Sequence, residues 1–295
     1  MKPARVLVLG AHGMLGQALV RRLSWESGCV LLTAARQKAD ICFDFTDDAS
    51  LARAFRTARP DVVINAAAIT SLAVAEQDSG LAYRVNARLV AVLAELCRRT
   101  GARLVQISTD HYYAGEGATL HNETAPVVLL NEYARTKYAG EAFALTQPRN
   151  LVLRTNIVGF RHAAGRPTFV EWALGEAHAG RPMRLFDDFY TSSMTVRQFS
   201  DILVQALDAG LTGLYNLAAR HAVTKEAFVV NLSEQLLGKV PIYERASLHE
   251  MTSSVARADS LGLDTQKIEA ALGIPMPGLP DVIASLREEW EEHAV

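Results

Sequence analysis

VLVLGAHGMLG, residues 6–16, is the stretch whose reading decides the fold. Val6 to Leu9 run straight into Gly10, and Gly13 and Gly16 follow at intervals of three. A short unbroken apolar run closed by glycine reads as a strand buried on both faces. The residues after it, MLGQALVRRL, carry Leu15, Leu19 and Leu23 on one helical stripe. Glycines between a first strand and its helix allow a tight turn, close backbone approach to a pyrophosphate, and close packing of helix on strand. The helix start adds unpaired N–H groups that suit phosphate. The spacing is GxxGxxG rather than GxGxxG, so its place in a β-α-β unit argues more than the glycines themselves. A dinucleotide site is therefore expected at Gly10, His12, Gly13, Met14, Leu15 and Gly16.

Outward from that turn, β-branched runs alternate with amphipathic ones. CVLLTAA, DVVINAAA, RLVQIST and NLVLRTNIVG read as further strands. Between them, DDASLARAFRTARP opens on N-capping aspartates and stops at Pro60, and NARLVAVLAELCRRTG places Leu89, Val92, Leu93 and Leu96 at helical spacing before Gly101. NEYARTKYAGEAFAL is the next helix. This alternation predicts an α/β fold, a Rossmann-like doubly wound parallel sheet over residues 1–157. After residue 157 the rhythm loosens. A smaller C-terminal substrate-binding lobe is expected over 158–295, with some segments, about 187–216, returning to the main sheet.

Composition narrows the function classes. The chain has 295 residues, 49% of them hydrophobic and 21% charged, with a formal net charge of −2. No basic stripe or positive excess supports binding to nucleic acid or to an anionic membrane. No apolar run is long enough to span a bilayer, and the N-terminal one is too short for a signal peptide. Cys29, Cys42 and Cys97 form no CxxC pair, which argues against a disulfide framework or a zinc site. The four glutamates near the end, in REEWEEH, read as a solvated helix face, and no metal is expected. The setting expected is cytoplasmic.

The second strand closes on TAARQKAD, where many NAD sites carry an acid for the ribose hydroxyls. Arg36 stands there instead, with Lys38 nearby, and a guanidinium suits a 2′-phosphate. NADPH is the expected cofactor, with NADH possible; an Arg simply exposed on a loop is the competing reading. Asp44, followed by Phe45, could meet the adenine or merely start a helix. Ala66, Ala67 and Ala68 would let a cofactor lie close over the third strand, or serve packing alone.

ISTDHYY puts Ser108, Thr109 and Asp110 at the carboxyl end of the fourth strand, where open α/β sheets bind ligands. The helix that follows carries Tyr133 and Lys137 four apart, on one face. Together they offer a hydroxyl to hold a carbonyl oxygen, a phenol to protonate it, and an ammonium beside the phenol. A phenol's pKa falling from near 10 to about 7 represents roughly 4 kcal/mol, part of which a neighbouring ammonium can supply. Such a shift brings a proton donor close to working pH.

These motifs, with the VN pair at Val85–Asn86, resemble the extended short-chain dehydrogenase/reductases. More narrowly, PDVVINAAAITSLAVAEQD, GARLVQISTD and NEYARTKYAGE are similar to the dTDP-4-dehydrorhamnose reductase group. The likeness is dense over residues 5–157 and thinner in LRTNIVG, GLYNLAA and ARADSLGLDTQKIEAALG. It implies hydride delivery from a nicotinamide to the C4 ketone of a nucleotide-linked 6-deoxy sugar. Tyr133 would donate the proton, Lys137 would hold the nicotinamide ribose, and Thr109 would bond the substrate oxygen. Three departures bear on the sugar. His111 stands where the group usually has Tyr, and where related dehydratases have a proton-shuttling Glu. Asn156 and Ile157 replace a Ser-Trp pair, and FDDFYTSS replaces a segment that ordinarily holds Pro-Thr. Ser108, Asp110, His111, Arg154, Asn156 and Asp188 are the substrate-side candidates, with Arg154 alternatively pairing an acid at the strand end. A reductase or epimerase of another nucleotide sugar is the enzymatic alternative. A non-catalytic, dinucleotide-binding regulatory subunit of the same fold is the other. Folds of this kind often form homodimers.

Overall fold

The computed structural model describes residues 4–45, 47–161, 167–250 and 255–294. The chain divides into two units interleaved in sequence. The first comprises Met1–Thr109, Leu129–Arg154 and Ser200–Tyr215; the second comprises Asp110–Val128, Thr155–Phe199 and Asn216–Val295.

A seven-stranded sheet organises the first unit. Its elements in chain order are β1 (Ala4–Leu9), α1 (Met14–Leu23), β2 (Cys29–Ala35), β3 (Ile41–Cys42), α2 (Asp48–Ala58), β4 (Val62–Asn65), α3 (Leu89–Thr100), β5 (Arg103–Ile107), α4 (Glu132–Leu145), β6 (Leu151–Arg154), α5 (Val196–Asp208) and β7 (Gly213–Asn216). The spatial order is β7-β6-β5-β4-β1-β2-β3. The pairings from β3 through β6 are all parallel. Order reverses at β1, where β2 pairs on one side and β4 on the other, and that reversal opens the crevice that ligands use in such sheets. Val6, Leu7, Val8 and Leu9 are fully buried, as a central strand covered on both faces requires.

The helices follow their sequence signals. Leu15, Leu19 and Leu23 form the buried stripe of α1. Asp47 caps α2 by accepting from Ala49 N, and α2 ends at Arg59 in the left-handed region just before Pro60. In α3 the stripe is Leu89, Val90, Leu93, Ala94 and Cys97, with Val92 and Leu96 only partly buried. The buried stripe is thus rotated from the predicted one by part of a turn. The two-residue edge strand β3 was not legible in the sequence. It is too short to show a period.

The second unit holds a four-stranded sheet in the order Val223–Thr224, Tyr190–Thr191, Ser260–Leu263, Leu120–His121. Two short parallel pairs accompany it: Ile157–Val158 with Met194–Thr195, and Met183–Phe186 with Tyr243–Ala246. Its helices include Phe169–His178, started by a capping box between Thr168 and Glu171, and Lys225–Leu237, capped by Thr224.

Candidate active site

The glycine turn is a place where main chain must touch main chain. Gly10 has φ +78°, and a β-carbon there would lie 2.7 Å from Ala67 N. A β-carbon on Gly16 would lie 2.1 Å from Gly10 O. Gly13 caps α1 in an extended conformation with no side-chain hydrogen bond, and no acid occupies the first turn. The first amides of α1, at Met14, Leu15 and Gly16, therefore lack intrahelical acceptors and face no repelling carboxylate from that turn.

Beside this turn lies a cavity of about 1020 Å³. Nine of the residues expected to hold a dinucleotide line it: Gly10, His12, Gly13, Arg36, Asp44, Phe45, Ala66, Ala67 and Ala68. Lys38, in the left-handed region at φ 54°, joins them. Gln37, Ile69, Leu81, Arg84 and Val85 also line it and were missed by sequence reasoning. Leu81 comes from the helix Ser79–Tyr83, while Arg84 and Val85 open a π-helical turn, Arg84–Arg88. No spacing rule reaches them, although the VN pair lies in that turn. Buried Asn86 explains the arrangement. Its amide oxygen accepts from Ile69 N (2.8 Å), and its Nδ2 donates to Ile69 O (3.0 Å) and Thr136 Oγ1 (3.1 Å). One side chain thus ties the cavity wall to α4. Gly140 lets α4 approach this closely, because a β-carbon there would sit 2.1 Å from Asn86 O.

On α4, Asn131 caps the helix by accepting from Ala134 N, and the buried face holds Tyr133, Lys137 and Glu141. Tyr133 is 8% exposed and Lys137 4%. Lys137 Nζ donates to Ile107 O, the last residue of β5, at 2.6 Å. Burial lowers the Lys137 ammonium to about 8, against a smaller opposing effect from Glu141. Ser108 and Thr109, directly after β5, are buried as well. Ser108 Oγ donates to Glu141 Oε2 at 2.8 Å. Arg154 grips the same carboxylate, Nε to Oε2 at 3.0 Å and NH2 to Oε1 at 2.5 Å. Of the two roles open to Arg154, the acid pair at the strand end is the one its geometry adopts.

Within the second unit, Asn156 Nδ2 donates to Asp110 Oδ2 (2.6 Å), and Ser193 Oγ donates to Asn156 Oδ1 (2.5 Å). Burial pushes the Asp110 carboxyl up, opposed by His111, the Asn156 bond and Lys225. Burial likewise lowers His111 and brings Lys225 down to about 8. Lys225 Nζ stands 4.5 Å from the Phe169 ring centroid. Positions flagged as departures therefore meet: His111 neighbours Asp110, and Asn156 bridges Asp110 to the FDDFYTSS loop. Asp188 does not join them. It accepts from Ser247 Oγ and Leu248 N, and these bonds hold its carboxyl low against the opposing effect of burial.

Burial pushes the Cys97 thiol up to about 12, which leaves it an unreactive packing group. Among the described residues, no group of three His, Cys, Asp or Glu is placed to hold a metal ion, and no helix is long and apolar enough to cross a membrane.

The sequence profile of the RmlD substrate binding domain matches residues 4–289. The chain belongs to that family. Among curated relatives of this RmlD-family chain, the dTDP-4-dehydrorhamnose reductase of Mycobacterium tuberculosis is 34% identical, over 74% of this chain and 71% of its own. The probable low-salt glycan biosynthesis reductase Agl14 of Haloferax volcanii is 27% identical over 97% of this chain and 98% of its own. The solved dTDP-4-dehydrorhamnose reductase of Bacillus anthracis, in complex with NADP, has the same fold: TM-score 0.87 at 22% identity, covering 98% of this chain and 100% of that one. The UDP-glucose 4-epimerase of Thermus thermophilus, in complex with NAD, superimposes with TM-score 0.80 at 25% identity over 99% of this chain and 100% of that one.

Proposed function

We propose that this RmlD-family protein is an NAD(P)H-dependent reductase of the C4 ketone of a nucleotide-linked 4-keto-6-deoxy sugar, with dTDP-4-dehydrorhamnose the leading substrate. The observation that carries the reading is the burial of Tyr133 and Lys137 one helical turn apart on α4, with Lys137 bonded to the end of β5. A binding module has no physical need to bury an ammonium there, since burial disfavours its charge.

The cavity beside the glycine turn suits a dinucleotide, because the residues expected to hold one gather along it and the unpaired amides of α1 open next to it. Gly13, Met14, Leu15 and Gly16 would receive the pyrophosphate, Arg36 a 2′-phosphate, and Asp44 and Phe45 the adenine end. When bound, the reduced nicotinamide supplies a hydride. Tyr133 delivers a proton to the substrate oxygen as negative charge develops there, and Thr109 donates a hydrogen bond to that oxygen. Lys137 carries the positive charge that stabilises the resulting phenolate. Asp110, His111 and Asn156 are proposed as contacts to the sugar. A cytoplasmic homodimer completes the proposal, its subunit count measurable by light scattering.

The test mixes purified protein and NADPH with a panel of nucleotide-linked 4-keto-6-deoxy sugars and follows absorbance of the reduced nicotinamide. Oxidation with at least one sugar is expected. Tight dinucleotide binding with no oxidation by any of them would sink the reductase and leave a regulatory binding protein.

A further inference from the structure

Tyr133, Lys137 and Glu141 succeed one another at intervals of four on α4, forming one continuous stripe. The first two are accounted for by the proposed chemistry; the third is not. Glu141 is 2% exposed, and both of its oxygens are engaged. Through Ser108 it holds the residue next to Thr109, and through Arg154 it holds the end of β6. One carboxylate therefore joins α4 to two strand ends. A buried ion pair of this kind is a weak source of stability, since apolar residues of similar volume often serve as well.

The surroundings of Lys137 supply the second observation. Among the described residues, the hydrogen bond of Lys137 Nζ goes to a main-chain carbonyl, which carries no net charge. The carboxylate acting on it is Glu141, on its own helix. Of the other charged groups on packed elements, Arg103 on β5 is a cation beside Arg149 and supplies no counter-charge. On the π-helical turn, Arg84 lines the cavity and Arg88 pairs with Asp48. On the helix Leu72–Gln77, Glu76 accepts from Glu132 N, and on α3 Glu95 holds Arg98 and Arg99. Arg154 reaches this region through Glu141 itself.

We propose that Glu141 is a positioning residue of the catalytic machinery. It fixes the Ser108–Thr109 strand end against the helix bearing Tyr133, and it is the counter-charge that keeps the buried Lys137 ammonium protonated. The inference rests on reading Tyr133 and Lys137 as the reductase's proton-donor pair, and it names the carboxylate that completes it.

The experiment titrates Lys137 directly, by NMR of lysine-labelled protein, beside the pH profile of kcat/KM. In Glu141→Gln the Lys137 midpoint should fall by about one pH unit, and the alkaline limb of kcat/KM should move down with it. Glu141→Asp, which restores the charge, should return most of the shift. Ser108→Ala keeps the ion pair, so it should lower kcat several-fold while the Lys137 midpoint stays in place. A midpoint unmoved in Glu141→Gln, with only a loss of melting temperature, would reduce Glu141 to a structural role and overturn the proposal. Should that variant not fold, Glu141→Gln combined with Arg154→Gln leaves no guanidinium buried without its partner. The Lys137 midpoint should still fall there, though by less, because losing the Arg154 charge offsets part of the loss of Glu141. An unmoved midpoint in the double variant would overturn the proposal equally. A moved midpoint in a protein that reduces no sugar would support the placement of Glu141 and overturn only the reductase reading.

Discussion

At the glycine turn main chain packs against main chain, and the packing depends on β-carbons that are missing. A β-carbon at Gly10 or Gly16 would fall within 3 Å of neighbouring backbone. On the buried face of α4 the opposite holds: Tyr133, Lys137 and Glu141 are polar side chains kept out of water by everything around them. The turn suits a ligand that is recognised by backbone amides and by shape. The helix face suits a reaction, because a buried charge acts more strongly than a solvated one. The first region therefore tolerates little substitution for steric reasons, and the second for electrostatic ones.

Substitutions in the two regions should fail in different ways. Gly16→Ala should cost the most, at least about 3 kcal/mol, because the obstruction is backbone that no rotamer can relieve. Denaturant unfolding and a dinucleotide titration should record lost stability and lost binding together. Tyr133→Phe should lower turnover roughly 100- to 10,000-fold while dinucleotide affinity measured by fluorescence stays nearly unchanged. If stability fell with turnover, the contrast between the regions would be broken.

Lys137→Met should separate stability from activity outright. The folded-state pKa of about 8 lies below the ordinary 10.5, so burial of the ammonium destabilises the native state at all pH values below about 8. That penalty fades as pH rises from about 8 to 10.5. At neutral pH the variant should gain up to about 3 kcal/mol over the parent, with no gain left near pH 11, and it should turn over no substrate. A loss of stability at pH 7 would show that the Lys137 bond to Ile107 outweighs its desolvation. The smallest effect belongs to the cavity rim. Arg36→Ala should weaken NADPH roughly tenfold and leave NADH nearly unaffected, as expected for one charge-assisted contact. Equal effects on both would remove Arg36 from the 2′-phosphate site.

The first unit was legible because its signals are local. Strand β1, the turn at Gly10, helix α1 and the Asp47 cap each depend on residues within a few positions of one another. The second unit was less legible. Its strands are two to four residues long, too short for a period, and they pair across distances in sequence that no pattern marks. The same limit applies within the site. Arg36 and Ala66–Ala68 lie at strand ends and could be expected to line the cavity. Arg84 reaches it from the turn that Asn86 anchors to Ile69 and Thr136, and Leu81 from the short helix just before that turn.

By itself, then, the sequence determined the alternating fold, the glycine turn and the Tyr133/Lys137 pair, all set by periodicity, backbone sterics or a spacing of four. The tertiary structure alone decided which charges are buried together. It turned Arg154 towards Glu141, gave Asp188 to Ser247 and Leu248, and set Asn156 against Asp110. The reason is physical. A side chain's partner across two strands depends on register and depth, and these emerge only when the core has closed around it.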